Sequence, residues 1–516
     1  MPRAETSPFS RLDAVASATP GRLYARFGEQ DITCGELSAW ADRIARALVG
    51  AGLRPGAHVA VMMANRPLSL ALIFGIARAR MVWVPVNTRQ QGTSLRYILE
   101  HCGPALVIAD EALVPAITEA RAELPGTRIL ALRSDGNHLD LPGDPETAAL
   151  PQPPVSSDTF AIMYTSGTTG QPKGVCVTHR MFDFAARAVS MAADIGDGAV
   201  LFVWEPLFHI GGSQLLLLPL VYDLHLHMVP GFSASRFWDQ VRESAATHIH
   251  YLGGILQILL RQPESPRDRD HQVRVAWGGG CVRDDWEAFE RRFGVDIREC
   301  YGMTEASSMT TVNVGGPVGS VGRPVPWLHV ELLDSDGRPV PAGERGEIVV
   351  SEYEQGALFE GYLDDPVATA RALRGGRLFT GDAGSFDAAG NLIFHGRLND
   401  SVRHRGENIS AWEIEHVAVL HPAVAEAAMI GVKADIGEQD IKLFVVLRPG
   451  QSVAAAELCA WLAERLGRFR TPRYIAFVDG FPKTPSERIR KGLLPRDVAD
   501  SWDRENPVER ALVQSA

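Results

Sequence analysis

The sequence predicts an α/β protein: a large N-terminal unit of α/β sheets carrying a β-rich subdomain, followed by a small α+β C-terminal unit. Three observations predict it. Early in the chain, apolar residues alternate between helical and strand spacing; near Val330 the texture changes to short strands punctuated by turns; and after Arg397 a helix-and-strand pattern restarts. A length of 516 residues is several times the size of a single core and calls for two or more units.

The elements follow in order. Between Gly35 and Leu53, Leu37, Trp40, Ile44 and Leu48 fall at helical spacing, and Gly52 ends the run. Val59 to Met63 reads as a buried strand, followed by a helix near Leu68 to Arg80, a strand at Val82 to Val86, a helix near Thr93 to Cys102 and a strand at Leu106 to Ala109. This alternation implies largely parallel sheets. Past Val330, the turns Ser335-Asp336-Gly337 and Pro341-Ala342-Gly343 flank a strand at Gly346 to Val350. The C-terminal pattern is a helix at Ala411 to Leu420, strands at Val424 to Val432 and Ile441 to Leu447, a helix at Ala455 to Leu466 and a strand at Tyr474 to Val478. The expected division is therefore 1–398 with the β-rich part over 325–398, a junction at 399–400, a small unit over 401–499, and a loosely held polar tail over 500–516.

Hydrophobic residues make up 46% and charged residues 22%, as in soluble globular proteins. The net charge of −11 disfavours a nucleic-acid or anionic-membrane partner, so an anionic ligand must be held by local geometry. Cys34, Cys102, Cys176, Cys281, Cys300 and Cys459 form no CxxC pair and no metal-type spacing with histidines, which fits a reducing cytoplasm. The first ten residues lack the apolar core of a secretory signal, and Leu215 to Tyr222, interrupted by Pro219, is too short to span a bilayer.

The most informative segment runs from Tyr164 through Thr165, Ser166, Gly167, Thr168, Thr169 and Gly170 to Gln171-Pro172-Lys173-Gly174, between strands at Thr159 to Tyr164 and Val175 to Thr178. Glycines let backbone N–H groups close around phosphate oxygens, the hydroxyls donate further hydrogen bonds, and Lys173 supplies a positive charge. It is a triphosphate cradle by composition. It is not a Walker A loop, because Pro172-Lys173-Gly174 interrupts the helix that motif requires.

Further segments follow in order: Pro206-Leu207-Phe208-His209-Ile210-Gly211-Gly212, Gly278-Gly279-Gly280, Tyr301-Gly302-Met303-Thr304-Glu305, Thr380-Gly381-Asp382, and Gly396-Arg397-Leu398-Asn399-Asp400 leading to Arg405-Gly406-Glu407-Asn408-Ile409-Ser410. With these, the chain closely resembles the superfamily of acyl-CoA synthetases, adenylation domains of nonribosomal peptide synthetases and firefly-type luciferases. Arg405 to Ser410, followed by Trp412-Glu413-Ile414-Glu415, resembles the crotonobetaine/carnitine-CoA ligase-like branch.

The resemblance implies ATP- and Mg²⁺-dependent activation of a small or medium carboxylic acid to an acyl-adenylate, followed by thioester formation with CoA. It implies that Tyr301 offers adenine an aromatic face, with Gly278 to Gly280 and Gly302 beside the base. Thr304 would reach the α-phosphate, Glu305 would hold Mg²⁺, and Asp382 with Arg397 would close on the ribose. A turn-capping Asp is the plain alternative for Asp382. His209 would line or gate the acyl pocket, although a lone histidine among apolar neighbours is otherwise a core residue. Expected pocket walls are Trp204, His209, Trp277, Cys281, Met303 and Ser307, the two tryptophans limiting its volume. The C-terminal unit is implied to be mobile, swinging about a hinge at Asp400, with Gly406 leaving room for the pantetheine tail.

One departure stands out. Where the family carries a Gly-Lys pair, the segment Pro482 to Lys491 places Glu487 and Arg488, so Arg488 performs the role, or Lys491 one helical turn later reaches in, or the step is weakened; Arg488 is the favoured reading. This leaves room for another acceptor or acid: a carrier protein, an amine, or a non-carboxylic oxyacid such as nitrite. A nucleotide-binding pseudoenzyme is a third reading, opposed by the intact loop, Glu305 and Asp382.

Overall fold

The computed structural model describes residues 5–120, 127–133, 148–165, 172–252, 254–281, 283–398, 401–404, 407–434, 439–466, 470–483 and 489–506. The expected helix appears as Cys34–Gly50, with Leu37, Ala41, Ile44, Ala45 and Leu48 buried on one face. A reciprocal cap starts it: Thr33 Oγ1 accepts from the Glu36 N–H, and the Glu36 carboxylate accepts from the Thr33 N–H. The next helix, Pro67–Arg78, is buried almost all round because its residues are nearly all apolar and it lies within the main core.

Two large sheets carry the site. The first has six strands in the order Arg128–Leu132, Leu106–Asp110, His58–Met62, Val82–Pro85, β1 (Thr159–Thr165) and β2 (Lys173–Thr178). Its pairings are parallel except for the β1–β2 hairpin. The second has nine strands, among them β3 (Val200–Val203), β4 (His248–Leu252), β5 (Val275–Gly279) and β6 (Asp296–Tyr301), which lie side by side and parallel. The parallel core matches the expectation from alternating helix and strand periods. A five-stranded antiparallel sheet follows, built on Leu328–Leu333, Gly346–Glu352, Arg377–Phe386 and Leu392–Arg397.

The C-terminal sheet has four strands, Val424–Lys433, Gln439–Leu447, Tyr474–Phe477 and Trp502–Asp503. The last of these falls at the start of the expected loose tail: Trp502–Asp503 pairs with Tyr474–Ile475, and residues 507–516 lie outside the described residues. Lys442 is wholly buried, and its Nζ donates to Asp497 O at 2.6 Å and to Asp500 Oδ1 at 2.7 Å. A buried ammonium without such partners is strongly unfavourable, so the polar residues that read as a solvated tail serve an internal cation. The expected junction at 399–400 lies outside the described residues.

Candidate active site

Strand pairing places Lys173 first. The β1–β2 hairpin closes with Thr165 opposite Lys173, while Ser166, Gly167, Thr168, Thr169 and Gly170, the tip of the expected phosphate cradle, lie outside the described residues. Residues 361–363 run beside β2: Cys176 N donates to Gly361 O at 3.1 Å and Leu363 N to Gly174 O at 2.8 Å. That pairing puts the Tyr362 ring under the Lys173 ammonium, 5.0 Å from Nζ to the centroid. The Tyr362 hydroxyl donates to Glu305 Oε1 at 2.9 Å, and Phe359 N donates to Glu305 O at 2.9 Å.

Lys173 and Glu305 therefore lie close together with Tyr362 between them. Glu305 is only 5% exposed, in the turn after β6 where Thr304 is also buried. Burial pushes its carboxyl above the ordinary range, against the pull of the Tyr362 hydrogen bond and of the Arg397 and Lys173 charges. Tyr362 was not legible beforehand: one tyrosine in Gly361-Tyr362-Leu363 makes no pattern, and its role comes from pairing with a distant strand.

A second group joins the ends of β6 and the antiparallel sheet. Tyr301 OH donates to Asp382 Oδ2 at 2.8 Å, and Arg397 Nε lies 3.0 Å from Asp382 Oδ1. Asp382 is buried, and the Tyr301 ring packs at 5.3 Å against Phe394. The hydroxyl of Tyr301 thus orients the carboxylate expected to meet the ribose, a role the sequence did not suggest. Gly302 follows directly and leads the chain into Thr304.

Packing within the protein also requires a glycine at the first position of the run. A Cβ on Gly278 would lie 1.9 Å from Tyr251 O, so the neighbouring strand of the protein itself excludes a side chain there. Gly279 ends β5, and the turn beyond is held by a buried carboxylate that the sequence gave no reason to single out. Glu299 Oε1 accepts from Gly280 N at 2.6 Å and Cys281 N at 3.1 Å, while the Tyr251 hydroxyl donates to Oε2. Burial raises the Glu299 carboxyl to about 7, with those three hydrogen bonds opposing. A carboxyl raised in this way stabilises the fold while protonated and loses that contribution as pH climbs from the unfolded value through about 7. Glu299→Gln can keep the turn through its amide oxygen and removes the titration. Its stability relative to wild type should rise by roughly 2–3 kcal/mol between pH 5 and pH 8, as read by denaturant unfolding at the two values.

The expected acyl-pocket residues do not all meet. Trp277 belongs to the main core, whereas Trp204 sits in a separate cluster with Phe202 and Trp238 and donates from Nε1 to His250 O at 2.8 Å. The two tryptophans lie on opposite faces of the sheet and do not form a common wall, because Trp204 shares the phase of Phe202 and Trp277 that of Val275. Cys281 packs on the Trp204 side and Met303 against the main core. The Ser307 hydroxyl is spent on Ala357 O at 2.6 Å. His209 immediately precedes the short helix Ile210–Ser213, whose Ser213 Oγ donates to its carbonyl at 3.1 Å.

In the C-terminal unit, Arg488, Asp400 and Gly406 lie outside the described residues. Lys491 Nζ is paired with Glu415 Oε1 at 2.8 Å, within the same unit. Among the described residues, no helix is long and apolar enough to cross a membrane, and no group of three or more His, Cys, Asp or Glu could hold a metal ion.

The chain is similar over most of its length to known proteins. The AMP-binding enzyme family model matches residues 12–363, and the AMP-binding enzyme C-terminal domain model matches 413–488. A sulfoacetate–CoA ligase of Cupriavidus necator is 34% identical over 506 residues, covering 95% of this chain and 98% of that protein. A crotonobetaine/carnitine–CoA ligase of Salmonella typhi is 32% identical over 465 residues, covering 86% and 89%. The structure of o-succinylbenzoate coenzyme A synthetase from Bacillus subtilis in complex with AMP superimposes with a TM-score of 0.83 at 26% identity, covering 95% of this chain and 99% of that one.

Proposed function

Because the chain belongs to the AMP-binding enzyme family and is an AMP-forming acid–CoA ligase, we propose that it activates a small or medium carboxylic acid at the cleft between Lys173 and Glu305, then passes the acyl group to CoA. The array Lys173–Tyr362–Glu305 carries this reading. A carboxylate oxygen of the acid attacks the α-phosphorus of ATP, the bond to the β-phosphate oxygen breaks, and pyrophosphate leaves with that electron pair. Alignment and charge neutralisation are what the protein must supply.

Lys173 and the loop Thr165 to Gly170 hold the polyphosphate, and Thr304 donates to the α-phosphate. Asp382, oriented by Tyr301 and Arg397, accepts from the ribose hydroxyls, while Gly278 to Gly280 flank the base on the turn that Glu299 fixes. A buried carboxylate raised by desolvation suits a hard divalent cation shared with substrate phosphates. Glu305 would hold Mg²⁺, which supplies charge neutralisation on the phosphates when bound.

For the second half-reaction, the C-terminal unit turns about Asp400 and presents the Gly406 region to the thiol. A panel of acids with and without CoA, read by pyrophosphate release and by thioester formation, tests the assignment. Thioester formed with CoA is expected; acyl transfer only to a carrier protein or an amine would move the protein to another acceptor. Asp400→Pro is expected to leave pyrophosphate release within a few-fold of wild type while thioester formation falls about 10²-fold or more. Equal loss in both half-reactions would remove the hinge from Asp400.

A further inference from the structure

We propose that Glu205 and His250 are specificity residues selecting an acid that carries a hydrogen-bond-donating substituent, a hydroxyl or an amino group, away from its reacting carboxylate. The inference rests on the acid-activation reading and deepens it.

Open α/β sheets bind ligands beyond the carboxyl ends of their parallel strands. Glu205 follows β3 by two residues, His250 stands near the end of β4, and Trp277 lies directly opposite His250 on β5. The next pairs, Tyr251 with Gly278 and Leu252 with Gly279, lead into the turn assigned to the adenine. The cluster thus adjoins the nucleotide side of the site. His250 and Trp277 rings are 5.2 Å apart, and His250 Nδ1 lies 2.7 Å from Glu205 Oε2.

Glu205 is held firmly. Asn65 Nδ2 donates to Glu205 O at 2.8 Å and Asn65 Oδ1 accepts from Leu207 N at 3.0 Å, bracing the segment that ends in His209. Gly211, just past His209, packs on the carboxylate so closely that a Cβ there would sit 2.5 Å from Oε1.

The polar account at this point is incomplete. Glu205 is 3% exposed and Trp277 0%, yet Glu205 Oε1 has no donor and Trp277 Nε1–H no acceptor. Native proteins rarely leave such groups unpaired, and a buried open acceptor is complemented by a group that can donate to it. A hydroxyl or amino substituent does this. A hydrocarbon acid leaves both groups unpaired, and a sulfonate brings only acceptor oxygens toward a carboxylate. A site built to hydrogen-bond a substituent rejects the analogue lacking it more strongly than a pocket rejects a missing methylene.

The test is kcat/KM, by acid-dependent ATP–pyrophosphate exchange, on matched short acids that are unsubstituted, hydroxylated, aminated or sulfonated at the same carbon. The wild-type enzyme is expected to prefer the hydroxylated or aminated acid over the unsubstituted parent by about 10²-fold or more, the better of the two arms naming the donor. Glu205→Leu is expected to abolish or invert that preference, and the near-isosteric Glu205→Gln to reduce it at least ten-fold. Wild-type preference for the unsubstituted or sulfonated acid, or a preference unmoved in Glu205→Gln, overturns the proposal while leaving acid activation intact. Absence of exchange with every acid, despite measured ATP binding, overturns the activation reading and this inference with it.

Discussion

Glu305→Gln is expected to lower acid-dependent ATP–pyrophosphate exchange by about 10²–10³-fold while leaving the fold at least as stable as wild type. The two halves of this expectation come from one observation. The Glu305 carboxyl is buried, and desolvation raises it, so the ionised form is disfavoured by the folded protein itself. Glutamine keeps the shape and can still accept from Tyr362 OH, which donates to Oε1 in wild type. It removes only the charge. Stability relative to wild type should therefore rise with pH, because a carboxyl raised on folding loses its contribution as it ionises. Exchange should fall because nothing replaces the negative charge that holds a divalent cation on the phosphates. Thermal melts at two pH values, run beside the exchange assay, separate these effects; a variant that melts early would mark Glu305 as structural instead.

Arg488→Ala is expected to lower adenylation by about 10²–10³-fold yet leave thioester formation from preformed acyl-adenylate near wild type, whereas Lys491→Ala should keep exchange within a few-fold. Both cations occur where the family carries one lysine. Lys491 is committed inside its own unit, to Glu415 Oε1, an oxygen that also accepts from Met429 N at 2.6 Å. Moving it into the cleft would break that ion pair. Lys483 is bridged to Ile489 and Arg490 N donates to Pro482 O at 2.8 Å, while Arg488 itself lies outside the described residues. Arginine offers a planar fork and not a point charge, so Arg488→Lys should recover part of the lost rate, not all of it. Loss on Lys491→Ala with exchange retained in Arg488→Ala would reverse the assignment.

What the sequence made legible follows how local each interaction is. The Cys34–Gly50 helix was readable because Leu37, Ile44 and Leu48 recur on one face, all within one segment. The run ending at Lys173 stands out for the same reason, as glycines, hydroxyls and a lysine sit together in the chain, while its tip lies outside the described residues. Tyr362 was not, since its position depends on residues 361–363 lying beside β2. Tyr301 could be named as a site residue, but its hydrogen bond to Asp382 joins two sheets that no short window spans. Alternation within a strand is visible in sequence, but the phase of one strand against another is not, which is why Trp204 and Trp277 were placed on one wall. The start of the tail was misread because the partners of Asp500 and of Trp502–Asp503, namely Lys442 and Tyr474–Ile475, lie far back in the chain.

The account depends on Lys173 and Glu305 gripping one ATP molecule in a shared cleft, and a double-mutant cycle on acid-dependent pyrophosphate exchange measures this directly. Lys173→Ala and Glu305→Gln should each lose about 10²-fold or more, and the double variant should lose far less than the product of the two, as groups acting on one transition state do. Full multiplication of the two losses, or wild-type exchange in either single variant, would contradict it.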